Sequence, residues 1–205
     1  LPVFAIAYNV GPDAANSTLF GWQYKECEAN GRSWAWWFDG TNFVFASSAD
    51  GGQTWTSPTT ITTSGTKAIR KFAVTCSSTS FYYVIVGGSN DFYFRYGTMN
   101  SDGTVTYSIS ETQKVESVQI VFASTAIDTS GNWWISYDEI TTPNIIVKKC
   151  TTPSSCTWTT SLTWSNNPSE RSLLVPLTAG KMAVIAGVSS GSAAERIRTF
   201  DGVST

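Results

Sequence analysis

Histidine is absent from this 205-residue chain. No imidazole can serve as base, acid or metal ligand, so mechanisms resting on one are excluded within the chain. Charge is scarce as well. Asp, Glu, Lys and Arg make up 14% of the residues, against about 25% in ordinary soluble domains. The basic runs, Lys67 to Lys71 and Lys148-Lys149, read as solvated strand ends, too short for the stripe that nucleic acid requires. The four cysteines include no CxxC pair, which argues against a zinc site; no metal or cofactor is expected. No stretch approaches the ~20 apolar residues of a spanning helix, so no membrane span is expected. Long runs of Ala, Leu, Glu and Lys are missing, which disfavours helices.

What is present is aromatic and hydroxyl-bearing. Nine Trp, eleven Phe and eight Tyr are set among Ser, Thr and Gly, a mixture that suits short strands joined by polar turns. Cys150 and Cys156 bracket a short loop, CTTPSSC, and read as a disulfide stapling a hairpin. Cys27 and Cys76 remain as a second candidate pair, with nothing local to fix their distance. An even cysteine count with a hairpin-spaced pair favours an oxidising, extracellular or surface location. Asn16-Ser17-Thr18 is a glycosylation sequon, which agrees with secretion.

A repeat of about fifty residues organises the chain. NFVFASSADGGQTW ends at Trp55, FYFRYGTMNSDGTVTY at Tyr107 and NIIVKKCTTPSSCTW at Trp158. Each is a strand, a polar turn and then an aromatic, which predicts that the three aromatics take equivalent positions. The strands Phe81 to Val86, Trp133 to Tyr137 and Met182 to Ala186 also recur, each preceded and followed by another strand. One four-stranded antiparallel meander per period is the size of a propeller blade. The fold expected is therefore all-β: a single β-propeller domain or segment over 1–205, with approximate blades 9–63, 64–115, 116–167 and 168–205. Residues 1–8 read as a candidate closing strand. A sandwich or jelly roll is the alternative.

Ser48, Asp50, Gly52, Thr54 and Trp55 fit the pattern S-x-D-x-G-x-T-W at every fixed position. On these residues the chain resembles the sialidase-like superfamily of β-propellers, whose hallmark is this Asp box, the bacterial neuraminidase repeat. The residue types suit a turn: Asp50 accepts hydrogen bonds from turn amides, glycines supply positive φ, and Trp55 anchors the hairpin. The resemblance implies a structural role for the motif, on the rim away from the catalytic face. It also implies six blades, so a second chain or further copy completing the ring is a candidate partner.

The same resemblance implies a glycoside hydrolase site: three arginines on the substrate carboxylate, a Tyr nucleophile paired with Glu, and an Asp acid/base. The sequence departs from that pattern. The family's Arg-Ile-Pro motif is absent, and only Arg32, Arg70, Arg95, Arg171, Arg196 and Arg198 are available. Arg95, Arg171 and Tyr137 are the residues that could face a cleft. Trp34 and Trp36 could stack on sugar rings, although core packing is the competing reading. No catalytic residue is assigned. The function expected is recognition of glycans or surface proteins by an extracellular or particle-surface propeller of adhesin or attachment type; the rival is a sialidase-type exo-glycosidase.

Overall fold

A computed structural model of the chain describes residues 26–63, 65, 67–117, 119–139, 144–165, 172–187 and 195–200. The described residues are all-β and form four antiparallel sheets, each a meander in sequence order. Blade 1 contains β1 (Glu26–Ala29), β2 (Arg32–Phe38), β3 (Asn42–Ser48) and β4 (Thr59–Thr63). Blade 2 contains β5 (Lys67–Cys76), β6 (Ser80–Gly87), β7 (Asp91–Met99), β8 (Val105–Tyr107) and β9 (Thr112–Val115). Blade 3 contains β10 (Ile120–Ile127), β11 (Trp133–Glu139), β12 (Asn144–Cys150) and β13 (Thr159–Ser165). Blade 4 contributes β14 (Ser172–Pro176), β15 (Met182–Gly187) and β16 (Glu195–Phe200). No helix among the described residues is long and apolar enough to cross a membrane.

The side-chain period of two explains how the blades stack. On β6, Phe81, Tyr83 and Ile85 join the core between blades 1 and 2. Their neighbours Tyr82, Val84 and Val86 join the core between blades 2 and 3. On β2, Trp34, Trp36 and Phe38 face blade 2, whereas Trp37 lies in a separate cluster with Val44 and Ala46. Alternation sends successive side chains to opposite faces. Because both faces are covered, these strands read as continuous apolar runs. A buried aromatic ring removes roughly 150–250 Å² from water, or about 4–6 kcal/mol of transfer free energy at 25 cal/mol/Å². The described Trp residues of the inter-blade cores and their Phe and Tyr neighbours thus dominate the blade interfaces.

The register places the repeated aromatics alike. Thr56 N–H donates to Ser47 O at 2.9 Å and Ser108 N–H to Tyr96 O at 3.0 Å; Thr159 pairs with Lys149. Ser47, Tyr96 and Lys149 are each the sixth residue of their third strand. Trp55, Tyr107 and Trp158 each precede the partner residue. The match departs from the repeat in one place: the fourth strand of blade 2 is split into β8 and β9, both paired with β7. In the break, the Ile109 carbonyl accepts from Arg95 Nε at 3.0 Å and Glu111 turns inward to Tyr83. Those two interactions take the place of ladder bonds.

Candidate functional site

The first strands of the four blades meet around one cavity of about 210 Å³. Its wall takes Glu26 and Cys27 from β1, Val74, Thr75 and Cys76 from β5, Thr125 and Ala126 from β10, and Leu174 and Pro176 from β14. The Cys27–Cys76 disulfide, with Cα atoms 6.4 Å apart, ties blade 1 to blade 2 in that wall. Thr125 is already committed: its hydroxyl donates to Trp134 O at 3.0 Å and accepts from Trp133 Nε1 at 2.6 Å. Glu26 is the one charged side chain among the described lining residues. Such a chamber can hold a small molecule, and its described lining does not supply the paired carboxylates that glycoside hydrolysis uses. Among the described residues, no group of three or more Cys, Asp or Glu is gathered as a metal ion would require.

Polar chemistry concentrates between the blades, toward the other end of the strands. Lys67 Nζ lies 2.6 Å from Glu111 Oε1, and Tyr83 donates to Glu111 Oε2 at 2.7 Å. One interface further on, Lys148 Nζ lies 2.7 Å from both oxygens of Glu116, and its ammonium stands 5.8 Å from the Tyr137 ring centroid. Burial and then the Glu116 and Glu139 charges push the Tyr137 phenol far above its ordinary value. Burial, reinforced by Glu111, does the same at Tyr83. Burial favours the neutral form of both phenols. Between blades 3 and 4, Ser172 Oγ donates to Ser136 Oγ at 2.9 Å and lies 3.3 Å from Asp138 Oδ1.

The lysines correct the sequence reading. Lys148 is 7% exposed and ion-paired, and the Lys149 ammonium stands 4.9 Å from the Trp134 ring centroid; neither is a solvated strand end. Lys71, half-buried on β5, places its ammonium 5.2 Å from the ring centroid of Phe122 on β10. The available signal was a lysine embedded in an apolar strand, as in IIVKKC: where both sheet faces are covered, such a charge needs an internal partner.

The sequence-derived site residues do not gather in one cleft. Arg95 stacks its guanidinium 3.7 Å from the Tyr107 ring centroid and donates to Ile109 O, so it braces the outer half of blade 2. Tyr137 is 2% exposed. Trp34 and Trp36 are 0% and 1% exposed and pack with Phe45 and Phe81. This corrects the stacking expectation, because neither ring offers a free face to a sugar. Arg171, Asn16 and the closing strand expected over residues 1–8 lie outside the described residues.

The turn between β3 and β4 is closed by side chains. Asp50 accepts from Thr54 Oγ1 at 2.6 Å, Thr54 N–H at 2.8 Å and Ser48 Oγ at 2.7 Å. Gly52 has φ of 88° and Trp55 Nε1 donates to its carbonyl at 3.0 Å. In blade 2, Asp102 accepts from Thr104 N–H and hydroxyl at 2.9 and 2.7 Å. A Cβ on the next residue, Gly103, would stand 2.6 Å from Ser47 Oγ and 2.9 Å from the Arg32 guanidinium, so glycine lets the two hairpins approach. In blade 3 the Cys150–Cys156 disulfide, Cα atoms 5.5 Å apart, spans the same turn.

No protein-family model matches the chain, and no curated protein matches it. Among solved structures, it superposes on the Trypanosoma rangeli sialidase with a TM-score of 0.61 at 10% identity, over 86% of this chain and 36% of that one. An ulvan lyase of a polysaccharide lyase family gives a TM-score of 0.57 at 11% identity, over 87% and 52% of the two chains. An α-L-arabinofuranosidase from Clostridium thermocellum gives 0.53 at 13% identity, over 88% and 68%. The chain thus spans about a third of the sialidase and about half of the lyase. What it shares with all three is the fold of a β-propeller built from antiparallel blades.

Proposed function

We propose that this chain is an extracellular or surface-exposed recognition propeller that binds glycans without cleaving them. The observation that carries the reading is the commitment of the groups a sialidase-type mechanism would use. Arg95 is stacked on Tyr107 and hydrogen-bonded to Ile109 O, and Tyr83 and Tyr137 are closed off from solvent. The Asp box at Ser48–Trp55 then acts as a scaffold element alone. The glycan-active proteins of the same fold support a carbohydrate ligand, and two disulfides support an oxidising compartment. Docking onto a surface glycoprotein, in the manner of an adhesin, is consistent with this reading.

The test is a glycan-array screen on the folded chain, run beside fluorogenic sialoside and arabinofuranoside substrates. Binding without turnover is expected. Turnover that is lost on Tyr137→Phe would establish the rival exo-glycosidase and overturn this reading, and absence of binding to any glycan would also overturn it.

A further inference from the structure

Exposure is graded around the chamber walled by the first strands. Glu26 and Pro176 are exposed, Thr75 and the Cys27–Cys76 bridge are half-buried, and Val74, Ala126 and Leu174 are buried. The exposed pair marks a mouth, and the buried residues form a floor. The volume of about 210 Å³ is smaller than the ~300–1,000 Å³ of sites that enclose drug-sized ligands. It suits one sugar-sized ring and not a length of chain.

The polar groups of the lining divide into committed and available. The Thr125 hydroxyl is taken up by Trp133 and Trp134. The side chains of Glu26 and Thr75 have no hydrogen bond or ion pair among the described residues. A half-buried hydroxyl without a protein partner favours a ligand or water that supplies one. An ionised carboxylate only accepts, and its two oxygens can receive two adjacent hydroxyls of a sugar. The apolar wall, with Leu174 and Pro176 on one side and Val74 and Ala126 on others, suits the ring carbons. No cation stands among the described lining residues, so an acidic sugar would meet Glu26 as a like charge.

We propose that this chamber takes the uncharged terminal residue of a glycan, inserted end-on between Glu26 and Pro176. Its hydroxyls bond to the Glu26 carboxylate and the Thr75 hydroxyl, and the rest of the glycan leaves through the mouth. This rests on the glycan-recognition reading and narrows it to neutral chain ends, held at a named site.

The experiment is a ligand-observed NMR titration of the full chain with the methyl glycosides of glucose, galactose and mannose, and with methyl glucuronide. Binding of at least one neutral glycoside is expected, with the glucuronide weaker. Glu26→Ala and Thr75→Val should each weaken the neutral glycoside by about 3- to 10-fold, the range for one net hydrogen bond. Glu26→Gln keeps an acceptor oxygen and removes the charge; it should retain most neutral binding and bring the glucuronide closer to it. Glu28→Gln, an exposed position on β1 outside the lining, controls for nearby charge and should change neither. Thermal unfolding of each variant verifies that it is folded. Equal neutral binding by the parent, Glu26→Ala and Thr75→Val overturns the chamber site. A glucuronide that binds the parent as tightly as the neutral glycosides also overturns it. If oligosaccharides bind on an array and no methyl glycoside binds in solution, the chamber site falls and the glycan reading stands. If no sugar of any length binds, both fall.

Discussion

Asp50 organises its hairpin through one carboxylate that receives three hydrogen bonds. The Thr54 hydroxyl, then the Thr54 N–H and then the Ser48 hydroxyl hold it well below its ordinary value of 3.8. A depressed folded-state pKa gives stability that is present above the unfolded value and is lost as pH falls through the folded one. Asp50→Asn should therefore lower the unfolding midpoint at neutral pH. The gap between parent and variant should shrink once the pH drops below about 4, where the unfolded carboxyl protonates. Thermal melts across pH 2–8 check this; a gap that is constant with pH would remove the ionised carboxylate from the account. At the blade interface the residue-scale expectation is larger. Trp133 packs against Tyr82, Phe94 and Trp158 with centroids 5.1–5.6 Å away. Trp133→Ala should cost about 3–5 kcal/mol in chemical denaturation, the range for emptying an aromatic site in a core.

Among elements, what was legible in the sequence is what is local. The ~50-residue period shows because each hairpin carries its own chemistry within a dozen residues: Asp and Gly in the first two, a cysteine pair in the third. The split of the fourth strand into β8 and β9 was not legible, because it depends on Glu111 meeting Lys67 and Tyr83, 44 and 28 residues away in the chain. Arg95 is retired as a site candidate by its stacking on Tyr107 and its bond to Ile109 O, and Trp34 and Trp36 by the covering of both blade faces. The lysines of β5 and β12 were misread for the same reason. The Cys27–Cys76 link was also open in the sequence, since only the packing of β1 against β5 brings its ends together. Its chain separation of 49 residues, against 6 for Cys150–Cys156, sets the expected effects. Loop-closure entropy gives about 4 kcal/mol for the longer loop and about 2 kcal/mol for the shorter. Paired Cys→Ala variants in urea should rank in that order, and the reverse ranking would show that loop length does not govern their contribution.

For the whole molecule, the cores between successive blades imply graded protection. Blades 2 and 3 are covered on both faces by described neighbours, through the cores they share with each other and with blades 1 and 4. Amide exchange should be slowest in β6 and β11 and faster in β15, because opening free energy follows local burial. Exchange that is fastest in β6 would contradict the stacking order. Described residues of all four first strands line one cavity, and the expected solution mass is that of one chain, 22.2 kDa. Light scattering that finds a dimer at micromolar concentration would favour a ring completed between chains.

The three fully described hairpins between third and fourth strands are fastened differently. Ionised aspartates close the first two, and a sulfur–sulfur bond closes the third. Acid acts on the first kind and leaves the third intact, whereas a thiol opens the third and leaves the aspartates untouched. The hairpins so fastened respond to different changes of medium. Lowering the pH while keeping an oxidant present should loosen the first two hairpins and hold the third; adding a reductant at neutral pH should open the third hairpin and also release the Cys27–Cys76 tie between blades 1 and 2. Two partly opened forms, distinguishable by which hairpin a protease cuts first, are therefore reachable from the same chain by choice of solvent.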